Sequence, residues 1–220
     1  DVLTPHVGAI LSAIMQVAYC DCEENGVACM RLLFDLHKAY KEAAAAHTAD
    51  FFDFVVRCYS NMPKIAHALL SAEVPSSPAV AAADGAAAAP ASDIPDAEQM
   101  AAIVKGDRKL PCSTSFQVVA ELPLVVIVLL QLHPRSLKVQ VARMVPQMMQ
   151  MLQLQAQQGT QRDSPLHKRQ EELVVSQVKT VSFMTYLLRS FTSVLEPHKE
   201  VVGTAILRLL RNCPPAPEGL

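Results

Sequence analysis

Few residues in this chain have types and spacing that could do chemistry. Cys20, Cys22 and Cys29, with His37 downstream, come nearest to a metal cluster. A structural zinc site needs four tetrahedral ligands, usually supplied as two close pairs. The second pair is missing here, so turn and core cysteines are the simpler reading. His167 and Glu171 stand four apart and would share a helix face. A helical zinc-hydrolase motif needs two His around a Glu, so this pair reads as a solvated helix start. Glu23-Glu24 and Glu171-Glu172 are carboxylates adjacent in sequence. Adjacent positions on a helix point about 100° apart and do not face one reacting bond. There is no GxSxG, phosphate-binding loop or GxGxxG, and only seven Gly. The expectation is a chain without catalytic residues, metal, cofactor or small-molecule substrate.

Binding is the better prospect. Arg208 and Arg211 fall on the exposed side of the last helical stretch, and Arg135, Lys138 and Arg143 gather around one turn. Beside an apolar groove they would form a cationic rim suited to an acidic amphipathic peptide. Ordinary solvated faces are the simpler reading of these residues. Met144, Met148, Met149 and Met151 could form a pliable binding surface, with Met148 and Met151 as the candidates for partner contact, although such groups more often fill a core.

The elements that must position these residues all read as helices. Val118 to Leu132 is nearly all aliphatic, interrupted by Glu121, Pro123 and Gln131. It is too short for a bilayer-spanning helix of roughly 20 apolar residues, so it reads as the buried helix of a stack. Val7, Ile10, Leu11, Ile14 and Ala18 give a helical stripe. Asp21 and Glu24 resemble a capping box for a second helix carrying Val27, Met30, Leu33, Phe34 and Leu36. A third helix holds Phe51, Val55, Cys58, Tyr59 and Met62, and Pro63 would open a short fourth. Pro146 predicts a kink or a split in the helix from Ser136 to Gln157. Ser164-Pro165 starts a helix whose stripe is Val174, Val178, Val181, Met184, Thr185, Leu188, Phe191 and Leu195. Val202, Ala205, Ile206, Leu209 and Leu210 define the last helix.

Hydrophobic residues make up 51% of the 220, enough for a substantial core, and without Trp it must be built from Leu, Val, Ala and Met. A formal net charge of −2 offers no general attraction to nucleic acid or anionic membrane. Six Cys without paired spacing suit a reducing compartment. The chain opens on Asp1 without a leader pattern and ends PPAPEGL, as a piece of a longer chain would. Residues 1–70 read as helical repeats, and 71–115 as an Ala/Pro-rich flexible insertion, since 12 of the 24 residues from Ala79 to Ala102 are Ala. Residues 116–214 continue the repeats, and 215–220 are a tail. The fold class expected is all-α, a HEAT-type helical-repeat solenoid with a long low-complexity insertion; a compact helical bundle competes.

Ordered strings carry a resemblance. Glu23-Glu24-Asn25 leads to Leu36-His37-Lys38, and FFDFV from Phe51 to Tyr59 and Pro63-Lys64. Ala120-Glu121-Leu122-Pro123 and Val145-Pro146 follow, then Gln177-Val178-Lys179-Thr180, Ser182-Phe183, Tyr186 and Leu209 to Pro214. In this order they resemble the amino-terminal HEAT region of the transformation/transcription domain-associated family, the pseudokinase scaffolds of SAGA-type histone acetyltransferase complexes. The resemblance implies an α-solenoid segment of a large nuclear protein related to phosphatidylinositol-3-kinase-like kinases but lacking kinase activity. It implies protein partners, namely transcription activators and acetyltransferase-complex subunits, and no direct contact with nucleic acid or membrane. It carries over no catalytic residue and no residue for activator contact. The Ala/Pro insertion departs from the family's composition. A HEAT segment of an active kinase of that superfamily, or of another helical-repeat adaptor, is the alternative.

Overall fold

The computed structural model describes residues 2–70, 94–105, 107–134, 137–155 and 165–212. Ten α-helices occur among them: α1 (Val7–Cys20), α2 (Glu23–Ala39), α3 (Lys41–Ala44), α4 (Thr48–Leu70), α5 (Ala97–Lys105), α6 (Phe116–Leu132), α7 (Lys138–Leu152), α8 (Pro165–Ser190), α9 (Thr192–Leu195) and α10 (Lys199–Asn212). They stack in two layers. One layer holds α2, α6 and α8 side by side; the other runs α1, α4, α7, α10. Successive antiparallel pairs, α1/α2, α4/α6 and α7/α8, thus repeat along one axis, the arrangement of a HEAT-type solenoid.

α6 is the buried centre of this stack. Val118, Val119, Leu122, Val125, Val126 and Leu129 are at most 1% exposed, because α2 lies on one flank and α8 on the other. The helix starts at Ser115, whose hydroxyl accepts hydrogen bonds from the backbone N–H groups of Gln117 and Val118, satisfying donors that a helix start leaves open. α2 meets the start of α6 at Gly26. A Cβ there would lie 2.6 Å from the Cys112 sulfur and 2.8 Å from a Val118 methyl, so the two backbones approach this closely because position 26 has no side chain.

A buried ionic network joins the same ends of α2, α6 and α8. Arg169 donates to both carboxylate oxygens of Glu23, at 2.9 Å each, and to Glu172 at 2.8 Å. The Ser115 hydroxyl donates to Glu23 at 2.9 Å, and the Gln117 amide to Glu172 at 2.7 Å. Opposite charges and satisfied acceptors allow these groups to leave water together.

Several expectations change. Pro63 does not open a new helix: α4 runs through it from Thr48 to Leu70. α7 likewise passes through Pro146 without a break. Burial of Ile65, Leu69, Met148 and Leu152 beyond the prolines outweighs the hydrogen bond each proline removes. The capping box does not form either. Cys22 is the cap of α2, without a side-chain bond, and Asp21 instead accepts from the Cys22 N–H and the Asn25 amide. The flexible insertion drawn over 71–115 is too long. Residues 71–93 lie outside the described residues, but from Ile94 onward the chain is packed. Met100 and Ile103 of α5 are buried, Leu110 to Ser115 are buried except Pro111, and the backbone pairs across Cys22 and Pro111. The Ala-rich composition hid the few large side chains that anchor it.

The stripe assigned to α8 is rotated. The face that enters the core carries Gln170, Leu173, Ser176, Gln177, Thr180, Phe183, Met184 and Leu187. Val178 is 49% exposed and Leu188 37%. Ser176, Gln177 and Thr180 on the inner face are hydrogen-bonded there. The Gln177 amide donates to the carbonyls of Met151 and Leu154, closing the end of α7, and the Thr180 hydroxyl donates to the Ser176 carbonyl beside the Tyr59 hydroxyl.

Candidate partner-binding surface

A groove of about 720 Å³ opens where α6 ends, α7 begins and α8 gives way to α9. Leu130, Pro134 and Phe191 supply apolar wall; Gln131, Tyr186, Ser190, Thr192 and Ser193 supply amide and hydroxyl groups; Lys138 is its cation. Each part has a local cause. Leu137 is buried and fixes the entry to α7, which places Lys138 at the first helical residue, on the rim. Among the described residues no side chain caps that helix start, and its backbone N–H groups add partial positive charge beside Lys138. Tyr186 stacks on Phe183 with ring centroids 6.3 Å apart, and Phe183 is in the core.

The structure separates the other candidates. Arg143 does not join Lys138; it pairs with Asp53 of α4 at 2.8 Å and donates to Gln140. Arg208 is half-buried rather than free on an outer face, and it donates to the Gln153 carbonyl at 2.9 Å, tying α10 to the end of α7. Arg211 is exposed near the end of α10. Arg135 lies outside the described residues. Met148 and Met151 are fully buried; they are core between the layers and cannot meet a partner. Helical spacing placed them on the inner face of α7, where an unbranched thioether fills gaps.

A second groove of about 220 Å³ lies between α2 and α6, lined by Met30, Phe34, Leu124 and Val125 with Arg31, Asp35 and Glu121 at its rim. Its residues are about 90 apart in sequence, so no local pattern announces it.

The residues that might have done chemistry are placed structurally. Among the described residues no group of three His, Cys, Asp or Glu could hold a metal ion. The Cys112 thiol donates to the backbone carbonyls of Asp21 and Cys22, and burial pushes its pKa up to about 12. Such a thiol stays protonated at neutral pH. His167 and Glu171 form a 3.3 Å pair along the start of α8. Glu23 and Glu172, from the two adjacent carboxylate pairs, do come together, with the Arg169 guanidinium bridging them. No described helix is long and apolar enough to cross a membrane.

Comparison with known proteins places this architecture. Residues 169–218 match the family model described as the Tra1 HEAT repeat central region. The chain is 27% identical to the transformation/transcription domain-associated protein of Danio rerio over 223 residues, covering 97% of this chain and 6% of the relative. It is 26% identical to the Homo sapiens protein of the same name over 230 residues, covering 96% and 6%. It is 25% identical to the SAGA complex/NuA4 acetyltransferase complex subunit Tra1 of Schizosaccharomyces pombe over 226 residues, covering 94% and 6%. The chain thus spans about 6% of the length of these curated relatives. No solved structure matches. The matched model describes a central region and covers residues 169–218; the ordered strings suggested an amino-terminal one. With two stacked layers of paired helices and relatives matched along nearly its whole length, the chain is similar to a HEAT-repeat segment of the Tra1 and transformation/transcription domain-associated proteins.

Proposed function

We propose that this chain is a non-enzymatic scaffold segment of a nuclear transcription coactivator, holding acetyltransferase-complex subunits and receiving transcription activators. The observation that carries the reading is the similarity along almost the whole chain to proteins named as transcription-associated or as acetyltransferase complex subunits. The groove at Lys138 supports the activator-receiving part. Apolar wall from Leu130 and Phe191 suits a bulky side chain of an acidic peptide, and Lys138 with the open start of α7 suits its carboxylates. Arg211 is a second exposed cation for the same chemistry.

The test is fluorescence anisotropy of labelled acidic activation-domain peptides titrated with the chain at two salt concentrations. Saturable binding that weakens with salt, and falls several-fold in Lys138→Glu, is the expected result. Absence of binding by a chain shown to be folded removes activator reception from this segment. The scaffold part is read separately, by whether acetyltransferase subunits still co-purify with the full-length protein after this segment is deleted. Unchanged co-purification would overturn it.

A further inference from the structure

The groove at Lys138 is walled on one side by hydroxyl groups. Ser190, Thr192 and Ser193 line it from the break between α8 and α9, and Lys138 lines it from the start of α7, on which α9 packs. No Asp or Glu is among the described residues of its lining. Exposed Arg189 stands three residues before Thr192. That spacing is one that arginine-directed protein kinases read: a carboxylate pocket of the kinase takes the guanidinium while the hydroxyl reaches the phosphoryl donor. Among the described residues an arginine precedes a hydroxyl by three at one other place, Arg57 and Ser60, and Ser60 is half-buried inside α4. Thr192 is exposed and is the first residue of α9, a helix of four residues of which only Leu195 is buried. It follows Phe191, whose φ of −138° and ψ of 41° end α8. A single helical turn is marginal by itself and opens readily, so a kinase can draw this segment into the extended form it needs.

We propose that Thr192 is a phosphorylation site for an arginine-directed protein kinase, and that its phosphate closes the groove to acidic peptides. The second half rests on the reading of this groove as a receiver of such peptides. In the transfer the Thr192 hydroxyl oxygen attacks the γ-phosphorus of the kinase's MgATP. The new P–O bond forms as the bond to ADP breaks, and the hydroxyl proton passes to the kinase's base. Two consequences follow from the local structure. The Thr192 hydroxyl donates to the Leu188 carbonyl at 2.7 Å; the phosphate ester oxygen has no hydrogen to give, so the side chain is released from the end of α8. The phosphate then brings about −1.5 to −2 charges into a groove whose described cation is Lys138. It takes the ammonium that a peptide carboxylate would use and repels the remaining acidic residues. Leu187 and Leu195 on either side stay in the core, so the switch acts on the groove and leaves the stack folded.

The folded chain is treated with MgATP and the catalytic subunit of cAMP-dependent protein kinase, an arginine-directed enzyme, and the modified residue is located by peptide mass spectrometry. Phosphate is expected on Thr192, at a rate that falls at least about ten-fold in Arg189→Ala. No phosphate on Thr192, or an unchanged rate in that variant, overturns the site. Anisotropy of a labelled acidic peptide then compares treated with untreated chain. The treated chain should bind at least about ten-fold more weakly, and treatment should make no difference in Thr192→Val. Equal affinity overturns the regulation. If even the untreated chain binds no acidic peptide, it is the activator-receiving reading that fails, and the modification is judged by phosphorus NMR instead. Pairing with Lys138 lowers the second pKa of the phosphate below its ordinary value of about 6, and Lys138→Gln restores it. A value that is not lowered, or that ignores the variant, overturns the placement of the phosphate beside Lys138.

Discussion

Replacing Arg169 by Met should be among the most damaging single changes available outside the apolar core. The thioether keeps the length and the apolar stem, so what is removed is the guanidinium that donates to Glu23 twice and to Glu172 once. The side chains of Glu23 and Glu172 are only 7% and 11% exposed. After the change Glu23 retains the Ser115 hydroxyl and Glu172 the Gln117 amide, and two carboxylates face each other without a counter-charge. Breaking a buried pair from one side typically costs about 3–5 kcal/mol; Arg169 is itself 18% exposed, so about 3 kcal/mol is expected. With a urea slope of about 2 kcal/mol per molar, the midpoint falls by roughly 1.5 M. The assay is urea unfolding followed by far-ultraviolet circular dichroism, repeated for Glu23→Gln and the double variant. The double should be less damaged than the sum of the singles by about 1–2 kcal/mol, since Glu23→Gln removes one of the two carboxylates that lose their counter-charge with Arg169, leaving Glu172 alone. A midpoint within about 0.3 M of the parent, or strict additivity, would refute the claim that this network fastens the three helices.

Gly26→Ala should destabilise by about 1–3 kcal/mol, because the new methyl would sit 2.6 Å from the Cys112 sulfur; thermal melts check it, and a neutral result would mean α2 can move away from α6. Leu187→Asp should abolish cooperative unfolding while Leu188→Asp leaves it nearly unchanged, since Leu187 is fully buried and Leu188 is 37% exposed; equal damage would contradict the rotation of α8. Burial holds His37 below the ordinary imidazole pKa of 6.5, with the Leu33 carbonyl acting against that and His133 and His47 adding to it; burial and Lys41 do the same for His133. A pKa lowered in the folded state means the unfolded chain binds the proton more readily, so this stability is present above pH 6.5 and drains away as pH falls below it. Melting temperature should therefore drop between pH 7.5 and 5.5, and His37→Phe should flatten the drop; an unchanged slope would remove His37 from the account. Among the described cysteines, exposed Cys20 should react with a thiol reagent in the native state, while buried Cys58 and Cys112 wait for unfolding.

The sequence by itself determined the class of the fold. Apolar residues recurring with a 3.6-residue period, scarce glycine and the all-aliphatic run in α6 leave stacked helices as the way to bury so much surface. It also carried the resemblance, because ordered strings recur on both sides of residues 71–115. It did not determine which face of α8 turns inward. Gln177 and Thr180 look like surface residues until the open carbonyls of α7 and the Tyr59 hydroxyl arrive beside them, and the valine stripe looks like core although it lies on the open side of the stack. Proline marks a helix break in a local pattern, yet α4 and α7 run through theirs because the residues beyond are held by the opposite layer. Tertiary structure alone brought Glu23, Ser115 and Arg169 together across 146 residues, and it parted Lys138, which lines a groove, from Arg143, which pairs with Asp53, while Arg208 ties α10 to the end of α7. A side chain's burial and its partners are properties of neighbouring helices, and local periodicity carries no information about where those neighbours lie.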